Sequence, residues 1–336
     1  GNLYTVVLAN WTPTSQNLTV DLAGGSSSQT FEEKYETGQI IELERPVKDN
    51  YVFVRWELSK GKGVVSGDTF TMGSVDVVLE AKWTVNNYTV TFNADGGTVN
   101  PSSIEVEYDS AYGELPTPEK PGYEFIGWYL DDEQITETSI LNVANNIELK
   151  AQWTANTYTV TLNANGGSVN PSEIDATYDD TYKDLPTPTR TGYTFKGWYI
   201  GTTKINNGDK VTITSNAEAK AEWTANTYTI TLTNTSATTT GSTSATATYN
   251  GGITSITAPK RTGYTFKGWY TATSGGTKVI NANGTLVESV SGYTNSSSKW
   301  IKASTATLYA QWTANTYTIT LTNTSATTTG STSATA

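Results

Sequence analysis

Apolar and polar residues alternate along much of this chain with a period of two. In "YTVTF" (88–92), Tyr88, Val90 and Phe92 fall on one face and two threonines on the other, the signature of a strand with one buried side. In "LYAQW" (308–312), Leu308, Ala310 and Trp312 share a face in the same way. By the same count "GYTFKGWY" (263–270) points Tyr264, Phe266, Gly268 and Tyr270 one way and Thr265, Lys267 and Trp269 the other. "DGG" (95–97) and "NGG" (165–167) are tight-turn signals, and after the first of them "SIEVEYD" (103–109) reads as the second arm of a hairpin. The Pro-punctuated "LPTP" at 115–118 and 185–188 reads as an extended connection. Helical periodicity is weak throughout, so at most one short helix per unit is expected.

These patterns recur. "GYEFIGWY" (122–129) returns as "GYTFKGWY" at 192–199 and at 263–270. Strand-like segments ending in tryptophan close each unit at Trp83, Trp153, Trp223 and Trp312, spaced by 70, 70 and 89 residues. The last interval is longer because of an insertion around 286–302. A first unit, near 17–83, is divergent, with Asn50 and Arg55 where the others have the glycines of GYxFxGW. Self-similarity at this period marks a tandem array. The expected division is an orphan closing strand at 1–12, a divergent repeat at 13–83, repeats at 84–153 and 154–223, a fourth with insertion at 224–312, and a truncated start at 313–336. That last segment copies 224–247 letter for letter, so the chain reads as a window on a longer array. Both ends are expected to be ordered by docking on a neighbouring unit or chain, because two-stranded fragments are marginal alone.

The architecture expected is mainly β: four β-rich beads, elongated like beads on a string. The links "TVNN" (84–87) and "TANT" (154–157 and 224–227) lack Gly and Pro and are too short to act as flexible coils.

Composition narrows the chemistry. The 336 residues are 36% hydrophobic yet 11% aromatic, as suits several small cores built on large rings. There is no Cys and no His, which removes disulfides, thiolate metal sites and the commonest general base. A net charge of −11 disfavours nucleic acid and anionic membranes as partners. No apolar run approaches the roughly 20 residues that span a bilayer.

The ordered set of Gly-Gly turn, LPTP, GYxFxGW and closing xxAxW resembles the Listeria–Bacteroides repeat, the B-repeat of internalin-type bacterial surface proteins. It runs through 86–312 and more loosely through 17–83. The resemblance implies small α+β, β-grasp-like units in secreted or wall-anchored proteins, used as a stalk or adhesion module. The function expected is a non-enzymatic, extracellular surface stalk or spacer whose partners are neighbouring repeats of its parent chain. The alternatives are an adhesin binding a glycan or host surface protein, and an accessory region of a secreted hydrolase.

Among candidate sites, Trp128, Trp198 and Trp269 fall on the polar face by the alternation count and could form a ligand platform. The competing reading buries them, as tryptophan usually is. Phe125, Phe195 and Phe266, with Trp153, Trp223 and Trp312, are expected to be largely buried. "NADGG" (93–97) and "DDE" (131–133) are fragments of a calcium loop at most, and turn chemistry accounts for both. No acidic pair stands out from the repeat background, so no catalytic residue, metal site or cofactor is assigned. A core crosslink from Lys to Asn or Asp is the one covalent chemistry the composition leaves open.

Overall fold

The computed structural model describes residues 12–336 apart from 326 and 329. The segment expected to be an orphan closing strand therefore lies almost wholly outside the described residues. The chain separates into two compact units, Gly1–Ala155 and Asn156–Ala336, each holding two repeats.

Repeats 2, 3 and 4 each build one five-stranded sheet of the same order. In repeat 3 a lead strand (Thr157–Asn163) pairs antiparallel with a return strand (Glu173–Thr177) and parallel with the closing strand (Ala217–Ala225). The closing strand then pairs antiparallel with the signature strand (Tyr193–Ile200), which carries GYxFxGW, and a short rim strand (Thr203–Ile205) ends the sheet. Lead and closing strands are thus central. Their inward residues Val160, Leu162, Ala219 and Ala221 are at most 3% exposed, as the period-two pattern requires. Repeat 1 keeps return, lead, closing and signature strands in a four-stranded sheet and adds a separate three-stranded sheet, Ile40–Glu42, Thr69–Met72 and Gly63–Ser66.

No helix occurs among the described residues, within the expectation of at most one short helix per unit. The stretch from return to signature strand, where LPTP lies, runs as extended connection, because each proline removes a backbone donor and biases the residue before it away from helix.

The Gly-Gly turn also behaves differently from a hairpin loop. Asp95 and Gly96 both have positive φ, 48° and 89°, the requirement of a type I′ turn. Yet the lead strand meets its return arm only from Thr91 opposite Ser103. Between them, Thr98 bridges to Glu119 in the Pro-rich connection. The turn therefore aims the chain across to that connection before the return arm begins.

The parity count fails in one place, the signature strand. Phe195 faces Trp223 and Trp198 faces Ala221, with a bulge between Phe195 and Gly197. One extra residue there flips the remainder of the strand. Phe195 and Trp198 thus share the core face, their rings 5.5 Å apart. The same bulge lies between Phe125 and Gly127 and between Phe266 and Gly268. Repeat 1 retains it between Phe53 and Arg55 without the glycine. Its other departure is equally well accommodated: Asn50, φ 64°, takes the left-handed position that Gly122, Gly192 and Gly263 occupy elsewhere, as asparagine can.

The tail, by contrast, folds on itself. Thr318–Thr320 pairs with Ser333–Thr335, and Tyr317, Ile319 and Leu321 are 56%, 47% and 42% exposed. In the identical sequence of repeat 4, Ile230 and Leu232 are 0% and 2% exposed because the closing strand lies alongside. The tail strands pair with each other, while Asn315 N–H donates to the Gly263 carbonyl of repeat 4 at 2.9 Å and its Oδ1 accepts from Thr265 at 2.7 Å, so the hold on the neighbouring unit is through that asparagine.

The bulge glycines give a graded prediction. A Cβ on Gly268 (φ 123°) would sit 2.4 Å from the Ile280 carbonyl oxygen, whereas on Gly127 it would meet the Gln134 side-chain amide, which can swing away. Gly268→Ala should destabilise its repeat by about 1–3 kcal/mol, and Gly127→Ala by clearly less. Chemical denaturation of the two variants followed by tryptophan fluorescence checks the order.

Candidate functional site

Trp128, Trp198 and Trp269 are 2%, 2% and 0% exposed. The ligand-platform expectation is therefore corrected: the bulge turns these rings into the core, where no sugar or partner can reach them. Trp128 and Trp198 donate their indole N–H groups to the carbonyls of Pro116 and Pro186, both at 2.8 Å. That bond explains why a Pro-rich connection must lie over each ring. Repeat 1 lacks LPTP, and there Trp56 Nε1 is buried without a hydrogen-bond partner, a cost of about 1–3 kcal/mol.

The tryptophans nearer the surface are the closing ones. Trp83, Trp153, Trp223 and Trp312 are partly buried, as are Phe125, Phe195 and Phe266, so both sets sit at the core's edge rather than within it. Each closing Trp donates its N–H into the first turn: to Leu22, Ala94 and Ala164 at 3.0 Å, and to Thr235 at 2.9 Å in repeat 4, where the Gly-Gly pair is missing. In repeats 1–3 the second turn glycine makes room for the ring. A Cβ on Gly25, Gly97 or Gly167 would come within 2.4, 2.9 or 2.8 Å of it.

A cation completes the arrangement. Lys48, Lys120, Arg190 and Arg261 lie over Tyr51, Tyr123, Tyr193 and Tyr264 at 4.2, 4.4, 3.9 and 3.6 Å. The first three also reach the closing Trp at 5.7–5.9 Å. Lys48 and Lys120 bond the carbonyls of Ala23 and Asp95, which hold the positive-φ position of the turn. A shallow depression of about 550 Å³ lies against this stack in repeat 2, lined by Pro118, Phe125 and Trp153 among others. Chemically the stack is a brace: it pins turn, Pro-rich connection and closing strand together through π-faces and carbonyls. Sequence reasoning missed the cation, although a basic residue three places before the signature Tyr in all four repeats was the available signal.

Nothing in the electrostatics points to proton transfer. Burial pushes the phenols of Tyr112 and Tyr182 up, with Glu133 and Asp209 adding to the effect. Bonds from Asn17 hold Asp76 below its usual range, and Lys183 does the same for Asp180. Asp95 pairs with Lys150 at 3.3 Å, and Asp131 (φ 52°) forms the turn into the rim strand, so turn chemistry accounts for both acidic fragments. Among the described residues no group of three or more acidic side chains could hold a metal ion. The one buried polar residue is Thr294, among the same residues, so no lysine is placed for a core crosslink.

The brace makes a prediction. Trp223→Phe keeps a ring in the stack but deletes the N–H given to Ala164, whose carbonyl keeps only its bond from Gly167 N–H at 3.1 Å, and it trims the packed ring area. The two losses together should cost about 1–3 kcal/mol, against about 0.5–1 kcal/mol for Arg190→Met. Thermal unfolding of the two variants compares them.

Comparison with known proteins agrees with this geometry. The Listeria–Bacteroides repeat domain matches four times, at residues 17–82, 88–152, 158–221 and 228–311. A putative Gly-rich membrane protein of Evansella cellulosilytica is 34% identical over 232 residues, covering 67% of this chain and 26% of that protein. A second putative membrane protein of the same organism is 32% identical over 269 residues, covering 76% and 40%. Internalin H of Listeria monocytogenes is 36% identical over 121 residues, covering 35% and 22%. The matched part of the chain spans at most 40% of the length of each of these relatives. With the same strand order in repeats 2–4, the same bulge and the same closing tryptophan in all four, and four family matches in register with them, the chain belongs to the Listeria–Bacteroides repeat family.

Proposed function

We propose that this chain is a non-enzymatic spacer region of an extracellular bacterial surface protein, holding neighbouring repeats at fixed spacing. The relatives named as membrane proteins and as an internalin support a surface location. The observation that carries the spacer reading is the junction between repeats.

One residue separates closing strand from next lead strand at each junction: Asn86 after Val77–Val85, and Asn226 after Ala217–Ala225. That residue is bonded on both sides. Asn86 N–H donates to the Asn50 carbonyl in repeat 1, and its own carbonyl accepts from Tyr108 N–H in repeat 2, both at 2.9 Å. Asn226 N–H donates to Gly192 in repeat 3 and its carbonyl accepts from Tyr249 in repeat 4, again at 2.9 Å. Side chains reinforce this: Tyr88 donates to Asn50 Oδ1, Thr194 donates to Asn226 Oδ1, and the Tyr193 and Tyr249 rings meet edge-on at 5.5 Å. A junction with its backbone groups satisfied across two domains has no freedom of a linker. Asn156 holds the same place between Ala155 and Thr157 in the strand pattern.

The adhesin reading has lost the ring platform that motivated it, because Trp128, Trp198 and Trp269 are in the core. The spacer requires only repetition and stiffness.

Two outcomes are expected. Small-angle scattering of the chain should give a radius of gyration well above the roughly 20 Å of a single globule of this length; a value near it would end the spacer reading. Gly192 (φ 78°) is in van der Waals contact with its neighbour, and a Cβ there would come 2.3 Å from the Tyr249 ring. Gly192→Ala should therefore open the junction between repeats 3 and 4 while leaving their cores folded. Amide hydrogen exchange reads this as faster exchange at Asn226 and Tyr249, with Val160 and Ile230 still protected.

A further inference from the structure

We propose that each repeat is a mechanical clamp, built so that tension along the chain is carried by its strongest mode of resistance. This rests on the spacer reading for its use, but the resistance itself belongs to the single repeat.

The argument is topological. The chain enters a repeat at the start of the lead strand and leaves at the end of the closing strand. In repeat 3 these two strands are neighbours and parallel, with Val160 opposite Ala217, Thr161 opposite Glu218, Leu162 opposite Ala219 and Asn163 opposite Lys220. Because they are parallel, the entry point and the exit point lie at opposite ends of the ladder. Tension on the two points pulls the strands past one another along their axes. All rungs are then loaded side by side, and none yields until several yield together. An antiparallel pair with entry and exit at the same end would open one rung at a time instead.

The same parallel ladder joins entry and exit strands in all four repeats: Leu18 to Asp21 with Val77 to Glu80, Val90 to Asn93 with Ile147 to Lys150, and Ile230 to Thr233 with Ala306 to Tyr309. In repeats 1–3 a side chain adds a rung before the backbone ladder begins. Asp76, Asn146 and Asn216, just ahead of the closing strands, accept from the backbone N–H groups of Asn17, Thr89 and Thr159 at 2.9, 2.9 and 3.0 Å. The closing strand is also held on its other side by the signature strand, up to Tyr193 opposite Ala225. Sliding it therefore drags Ala219 and Ala221, both 0% exposed, out of the core. The closing Trp, anchored by its N–H in the first turn, resists the same movement. Finally, a doubly bonded Asn at the junction passes load from one repeat to the next without slack.

The protein contains no cysteine, so handles can be placed at will. Two double variants of the whole chain pull repeat 3 in two directions. Thr157→Cys with Thr224→Cys loads the ladder in shear, and Thr157→Cys with Ser215→Cys pulls both strands from one end and peels them apart. All three positions used are exposed, and equal denaturation midpoints verify that both variants keep wild-type stability. In single-molecule pulling at equal speed, the shear pair should unfold at a force at least about twofold higher than the peeling pair, forced unfolding being governed by the barrier along the pulled direction. Pulled through its ends, the unmodified fold should give separate events lengthening the chain by about 20 nm for repeats 1–3 and about 27 nm for repeat 4, at about 3.5 Å per residue less the roughly 4 nm that entry and exit already span along the strands. Equal forces in the two directions, or a weaker shear pair, would overturn the clamp. Such a result would leave the spacer reading standing, since that is decided by scattering on the unloaded chain.

Discussion

The parallel pairing of lead and closing strands is the constraint on which the rest of each repeat depends. It joins the first and last strands of the unit in the middle of its sheet, so the core closes only when both ends of the sequence are present. The same pairing sends the chain out at the far end of the sheet from where it came in. Repeats can then follow one another with a single asparagine between strands.

Much of this was legible. Lead and closing strands announce themselves through Val90, Phe92, Leu308 and Ala310, alternate residues that all prove buried, because period two maps directly onto faces of a sheet. What the count could not see was the bulge beside the second signature glycine. Counting through it puts Trp198 on the wrong face, and with it the only proposed ligand platform. Long-range pairing was equally hidden: that Asp95–Gly96 directs Thr98 toward Glu119 instead of closing a hairpin depends on a partner more than twenty residues away. The extended connection between return and signature strands was legible as well, in the prolines that interrupt it.

The divergent repeats show which features the fold demands and which it tolerates. Asn50 substitutes for glycine because the position asks only for a left-handed backbone. Arg55 substitutes because a bulge needs an extra residue more than it needs glycine. Loss of LPTP is tolerated at the expense of one unpaired indole N–H on Trp56. The closing Trp bond to the first turn persists in all four units, even where Thr235 replaces the usual acceptor. The Trp–cation–Tyr stack over that turn accordingly belongs to the architecture, and its recurrence reflects one brace per core.

The central claim is that the two repeats of each unit are joined in one fixed way by a bonded asparagine. Thr19, Thr91, Thr161 and Thr231 occupy equivalent exposed positions on the four lead strands. Spin labels at Thr19 and Thr91 report the junction at Asn86, and labels at Thr161 and Thr231 report that at Asn226. Pulsed electron–electron distance measurement tests the claim most directly. The account predicts a single narrow distance distribution for each pair, with the same mean in both; broad distributions, or two different means, would contradict it.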